Sequence, residues 1–120
     1  MLARNATRGT VLARRVRVAR TGWTRFRGLM GVPALSPGEA LLIERCRAIH
    51  TCFLRFAIDA LFLDRRGCVV AAVRDLRPWR CRSGQRATRV LELPAGTLAA
   101  TGTVTGDRVS FEGVERARLV

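Results

Sequence analysis

From Val11 the stretch VLARRVRVAR approximates strict alternation, with Leu12, Val16 and Val18 on one side and Arg15 and Arg17 on the other. Successive side chains of a strand point to opposite faces, so the segment predicts a half-buried strand with a basic outer face. The period then changes. In TGWTRFRGLMG, Trp23, Phe26 and Met30, with Leu29 beside them, fall at helical spacing. Thr21 stands where an N-cap belongs, and Gly31 with Pro33 supplies a stop. The pattern predicts a helix of about two turns whose aromatic face, Trp23 and Phe26, packs into the core.

LSPGEA reads as a turn leading into a short strand, LLIE. Cys46 to Asp64 continues as extended chain with a break near Phe56 to Ile58, and ALFL within it is apolar on both alternating faces, the mark of a strand buried on both sides. Phe53 to Leu63 is therefore expected to be chiefly core strand. DRRG closes a hairpin into CVVAAVRDL, RPWRCRSGQRA is a loop, RVLELPAG a strand, GTLAATG one helical turn, and GDRVSFEGV a last strand entered through a Gly-Asp turn. Strands do not alternate regularly with helices. About six short strands with one or two short helices predict a mainly β (α+β) fold, a compact single domain of barrel or sandwich type. Residues 1–9 carry no pattern and are expected to form a loose tail, with the domain over 10–112 and a C-terminal extension over 113–120. At 120 residues and 48% hydrophobic, the chain can bury one core.

Charge adds a second candidate for function. The formal net charge is +13, all 22 basic residues are arginine, and only nine acids balance them. Attraction to polyanions at low salt follows. A nonspecific nucleic-acid reading would use Arg15 and Arg17 together with Arg77, Arg80 and Arg82, with Trp79 exposed beside them, and it requires the two clusters to share a face. The absence of lysine and tyrosine matches a genome rich in G and C, which explains the choice of arginine but not the shortage of acids.

Arginines interrupt every apolar run of the amino terminus before it reaches the length of a secretory h-region, and no stretch approaches the roughly 20 apolar residues of a membrane span. A cytoplasmic protein is expected, with Cys46, Cys52, Cys68 and Cys81 as reduced thiols.

The chain's single histidine lies between two cysteines, in CRAIHTC. Cys46, His50 and Cys52 are soft enough for zinc, but along a strand Cys46 and His50 stand roughly 13 Å apart, and neither CxxC nor HxxxH spacing occurs. No metal site is expected. A nucleophilic Cys52 with His50 as base is sterically allowed, since the two share a strand face, but no third group activates them. Asp59 lies among apolar neighbours and must find donors or a cation. Glu92 stands where a strand meets a Pro-Ala-Gly turn and can close a pocket or cap loop amides. Asp107 reads as a turn residue. No phosphate loop or cofactor motif is present, so no cofactor is expected.

RGLMG (Arg27 to Gly31), IHT (Ile49 to Thr51), IDALFLDRRGCVV (Ile58 to Val70), LELPAG (Leu91 to Gly96) and GD (Gly106, Asp107) resemble, in order and spacing, the bacterial and archaeal domain of unknown function 192 family. The resemblance covers roughly residues 10 to 112. It implies a mostly β domain with a small helix near RGLM and no established activity. The motif positions it carries over are Arg27, Gly28, Leu29, Met30, His50, Thr51, Asp59, Phe62, Asp64, Glu92, Pro94, Gly96, Gly106 and Asp107. Leu54 departs from a family that often has Met after the His-Thr pair, and Cys52 is outside the pattern. Many relatives look exported or lipid-anchored, a signal this chain does not show.

Together these readings predict a noncatalytic module that binds a small molecule or a protein partner through a polar cleft of His50, Thr51, Asp59 and Glu92. The alternatives are the arginine-rich nucleic-acid surface and a hydrolase built on Cys52, His50 and an acid.

Overall fold

The computed structural model describes residues 1–113. They run in the order β1 (Leu2–Asn5), β2 (Thr10–Ala13), β3 (Arg15–Ala19), α1 (Gly22–Arg27), β4 (Glu39–Glu44), β5 (Ala48–His50), β6 (Ile58–Leu63), β7 (Val69–Leu76), β8 (Cys81–Ser83), β9 (Arg89–Pro94), α2 (Thr97–Thr101) and β10 (Val109–Glu112). A strand that is apolar on both faces needs cover on both. Every residue of β6 is buried, as the doubly apolar ALFL predicts. It lies beside β9 in a five-stranded sheet of order β3-β4-β9-β6-β7.

One face of that sheet packs Leu61, Leu63, Leu91 and Leu93 against Ala3, Leu12, Leu98 and Val109 from the three-stranded sheet β10-β1-β2 and α2. The other face packs Leu41, Ile43, Ile58, Phe62 and Val90 against Leu29, Ile49 and Leu54. Because β3 and β4 are parallel, the chain joining them must cross over a sheet face, and this crossover carries α1. The result is a mainly β domain of sandwich-like sheets with two short helices. The two end strands of the five-stranded sheet, β3 and β7, do not pair with each other, so the sheet does not close and the barrel alternative does not hold.

Four expectations are corrected. Residues 1–9 are not a loose tail: β1 pairs with both β2 and β10. Buried Asn5 donates to Thr103 and Asp107, which lie about a hundred residues away in the chain. Periodicity gives no warning of a strand held by such remote polar partners. The described residues form ten strands rather than six, because β1 is added, VLARRVRVAR breaks at Arg14 into β2 and β3, which join different sheets, the extended Cys46–Asp64 segment divides into β5 and β6, and β8 lies inside the RPWRCRSGQRA loop. No residue of α1 is buried, and Trp23 and Phe26 are 67% and 60% exposed. Helical spacing tells which residues share a face, not that the face turns inward. Finally, residues 51–57 are irregular and Phe53 is exposed at φ 64°, so core strand begins only at Ile58. Of the extension expected over 113–120, only Gly113 lies within the described residues.

Candidate functional site

Strand register decides which polar residues meet. Glu92 pairs with Leu41 on one side and Ala60 on the other, so its side chain shares the sheet face covered by Leu29, Ile49 and Leu54. It is 3% exposed. Among the described residues no donor or cation is within hydrogen-bond or ion-pair reach of its carboxyl. The oxygens are not sealed into the core, since no buried side-chain oxygen or nitrogen among the described residues is left without a partner; they open onto a cavity. Removal from water raises the Glu92 carboxyl from 4.5 to about 8, so at neutral pH it holds its proton and presents an O–H.

The turn after α1 forms the opposite wall. Thr21 caps the helix as its sequence predicts: its hydroxyl accepts from the Thr24 N–H, and the Thr24 hydroxyl answers the Thr21 N–H, a reciprocal capping box. Gly28 then adopts φ 51°, ψ −121°, and the Met30 N–H donates to the Arg27 carbonyl at 2.8 Å. This is a type II′ turn, whose second position requires positive φ and therefore glycine. The turn comes close to Glu92 at Gly28: a Cβ there would lie 3.9 Å from Glu92 Oε1. Leu29 is buried, and its backbone N–H meets no acceptor among the described residues.

Between these walls lies a cavity of about 230 Å3, lined by Arg25 to Met30, Ile43, Cys46, Ala48 to His50, Leu54 and Glu92. That is the volume of about seven or eight waters at roughly 30 Å3 each, room for a small molecule and not for a dinucleotide. His50, half-buried at the end of β5, accepts the Cys52 backbone N–H on Nδ1 at 3.1 Å, which leaves Nε2 as its proton-bearing nitrogen when neutral. Its ring packs on Phe26 with centroids 5.7 Å apart, and Phe26 packs in turn on Trp23 at 6.1 Å.

Cys46, not Cys52, joins His50 and Glu92 in the cavity wall. Its thiol donates to the Ala48 carbonyl at 3.0 Å. Burial raises the thiol above 9.0, assisted by the charge of Glu92 and opposed by the Ala48 bond and Arg25. A thiol held protonated is a poor nucleophile. Cys52 meets His50 through its backbone amide, which occupies Nδ1. No three of the described histidine, cysteine, aspartate and glutamate residues stand together as a metal-binding group.

Asp59 does not reach this cavity. It pairs with Leu93, one residue out of step with Glu92, and so leaves the sheet on the other face. There Oδ1 accepts the Asp75 N–H, while Oδ2 accepts the N–H groups of Gly96 and Leu98, capping α2 from a neighbouring strand. Thr51 is buried as a staple: its hydroxyl accepts from the Arg80 N–H at 2.8 Å and donates to the Arg77 carbonyl at 2.6 Å. Asp64 caps the β6–β7 turn by accepting from Arg66 and Cys68. Asp107 accepts from Arg8, Asn5 and Val104, and the Arg8 and Asn5 bonds hold its carboxyl down at about 2.

The motif positions thus sort by place. Arg27, Gly28, Leu29, Met30, His50 and Glu92 line the cavity. Phe62 fills the core of the same sheet face, and Gly96 and Gly106 take positive φ in turns, with Pro94 ending β9. Residues that sequence reasoning left out of the site are Arg25, Phe26, Ile43, Cys46, Ala48, Ile49 and Leu54, with Arg27 to Met30 read only as structural. The available signal was the glycine between a capped helix and an apolar pair, the requirement of a turn that aims a peptide group outward. The Leu54 departure falls in the cavity wall.

The arginine clusters do not share a cavity. Arg15 and Arg17 border a hollow with Val32, Ala34, Leu35, Glu39 and Ala40, whereas Arg82 borders another with Ala48 to His50, Cys81 and Ser83. Trp79 is exposed, takes φ 66°, and packs on Phe53 with ring centroids 4.7 Å apart. No helix of the described residues is long and apolar enough to cross a membrane.

Comparison with known proteins agrees with this architecture. A Thermococcus sibiricus UPF0127 protein is 34% identical over 119 residues, covering 95% of this chain and 76% of the relative. A crystal structure of a Novosphingobium aromaticivorans protein of unknown function superposes with a TM-score of 0.81 at 22% identity, covering 92% of this chain and 83% of that one. A Sinorhizobium meliloti protein, provisionally described as a transcription regulator, superposes with a TM-score of 0.78 at 23% identity, covering 91% and 89%. At these identities the two structures share the fold. The family profile DUF192, described as Uncharacterized ACR, matches residues 3–111, and the chain belongs to this domain of unknown function 192 family.

Proposed function

We propose that the chain is a noncatalytic binding module whose ligand is a small molecule held in the cavity between the Arg27–Met30 turn, His50 and Glu92. The observation that carries this reading is Glu92: a carboxyl 3% exposed, with no partner among the described residues, facing open space. Burying a polar group without a partner costs on the order of 1–3 kcal/mol, and a bound ligand that supplies the partner recovers it. Apolar side chains of Leu29, Met30, Ile43, Ile49 and Leu54 give the rest of the wall, the usual composition of a small-molecule site. A nucleophilic role for Cys46 is disfavoured, since burial holds its thiol protonated.

The test is amide NMR of the folded chain against fragments of up to about ten heavy atoms at millimolar concentration. Shifts confined to residues 25–30, 46–50 and Glu92 are expected. Fragments that perturb only other surfaces, or none at all, would remove the reading.

A second reading, binding of single-stranded nucleic acid, draws on the exposed Phe53–Trp79 pair beside Arg80 and Arg82. It expects affinity that collapses with salt and is lost in Trp79→Ala. It is less favoured because Arg15 and Arg17 border a different hollow from Arg82.

A further inference from the structure

We infer that the ligand carries a hydrogen-bond acceptor head, a carboxylate or an equivalent small anion, seated against Glu92 and the Leu29 amide with a short apolar body along Leu29, Ile49 and Leu54. This rests on the cavity being the ligand site. The argument is the sign of the polar groups around it. Leu29 offers a backbone N–H without an acceptor among the described residues. His50 has Nδ1 occupied, so its other nitrogen is the donor. Arg25 and Arg27 line the cavity; the Arg25 side chain donates to the Thr21 and Arg45 carbonyls, whereas the Arg27 side chain makes no hydrogen bond or ion pair among the described residues. The Cys46 thiol is already spent on the Ala48 carbonyl.

Among the polar side chains lining the cavity, those left unspent are therefore donors or cations, with Glu92 as the one group able to act either way. With an Arg27 side chain that is unpaired among the described residues in the cavity wall, and a chain of net charge +13, an ammonium ligand would meet repulsion, while a carboxylate meets attraction. The protonated Glu92 then donates to the ligand rather than opposing it. Binding holds the proton on Glu92, and the complex weakens as that proton is lost.

The groups facing Glu92 are few. Arg25 and Arg27 come from α1 and its turn, Cys46 and His50 from the segment entering β5, and the flanking strands present only Leu41 and Ala60. The Cys46 thiol is raised above 9.0 and stays protonated over most of the range that matters. His50→Gln, which keeps a donor and does not titrate, isolates the Glu92 contribution.

The experiment compares hexanoate, hexanamide and hexylammonium on the full chain, by amide NMR titration between pH 7 and 9. Hexanoate is expected to bind best and to weaken about tenfold from pH 7 to 9 as Glu92 ionises around 8, in the native chain and in His50→Gln alike. Glu92→Gln keeps an N–H donor and loses the pH slope; Glu92→Leu keeps the fold and weakens hexanoate at least about tenfold, one hydrogen bond to a charged group. The ammonium alternative predicts the reverse: hexylammonium binds best, tightens as pH rises, and is abolished by Glu92→Gln. That outcome would overturn the acceptor proposal and leave the ligand site standing. Failure of all three compounds to perturb residues 25–30 and 46–50 would bring down both.

Discussion

Asp59 and Glu92 stand one residue out of register across the β6–β9 pair, so they leave the same sheet on opposite faces. The two acids look alike in sequence, each set in a strand among apolar neighbours. Asp59 ends against three backbone N–H groups, whereas Glu92 ends against none of the described donors and opens on a cavity. One is a cap and the other is the candidate site.

Asp59→Asn separates these roles. An amide oxygen cannot replace both carboxylate oxygens, and its NH2 group would confront a backbone N–H. A loss of about 2–3 kcal/mol in urea unfolding is expected, the value of charge-assisted hydrogen bonds, with hexanoate affinity unaltered once the variant is folded. Lost affinity at full stability would return Asp59 to the site.

Stability should lean acid, and Glu92 gives the sign. Its folded value of about 8 lies above its ordinary 4.5, so between them the unfolded chain has released a proton that the folded chain retains. Stability then falls as pH rises from about 4.5 to 8 and levels off above, by at most about 4–5 kcal/mol. Asp107 works the other way: held at about 2 against 3.8, it adds stability above 3.8 that disappears as pH falls towards 2. Urea midpoints of the native chain and Glu92→Gln, measured across this range, should converge at low pH and separate above 4.5, with the variant more stable. Parallel curves would show that Glu92 is ionised in the fold.

Gly28→Ala tests the turn. The residue at φ 51°, ψ −121° occupies a region that side-chain-bearing residues avoid, and its missing Cβ points toward Glu92 Oε1. A cost of about 1–3 kcal/mol is expected from strain, together with weaker hexanoate binding as the Leu29 amide shifts. Unchanged affinity in the folded variant would mean that this peptide does not contact the ligand.

The amino terminus makes a separate prediction. Asn5→Ala strips partners from Thr103 and Asp107 and from the Arg8 amide, so a loss of about 2–3 kcal/mol is expected although the residue ends a strand whose sequence carries no pattern. A change below about 0.5 kcal/mol, typical of a surface substitution, would make β1 dispensable.

What the sequence made legible was whatever depends on local rules. The doubly apolar ALFL became the fully buried β6, Thr21 became the N-cap, Asp64 and Gly67 closed the hairpin, and Gly106 took positive φ at the Gly-Asp turn. What it hid depends on remote partners or on direction. Nothing near Asn5 announces Asp107, and nothing in WTRFR says that Trp23 and Phe26 face outward. The residues of the cleft were half legible: His50 and Glu92 meet in one cavity, but Thr51 and Asp59 are spent on backbone groups, a difference fixed by register that a single strand pattern does not show.

The most direct test of this account is the pH titration of the Glu92 side-chain carboxyl carbon by 13C NMR, in the free chain and with saturating hexanoate. The account predicts a midpoint near 8 in the free protein, moving higher in the complex. A midpoint near 4.5 that hexanoate leaves in place would contradict it, for the carboxyl would then be solvated or paired and the cavity would hold no unpartnered donor.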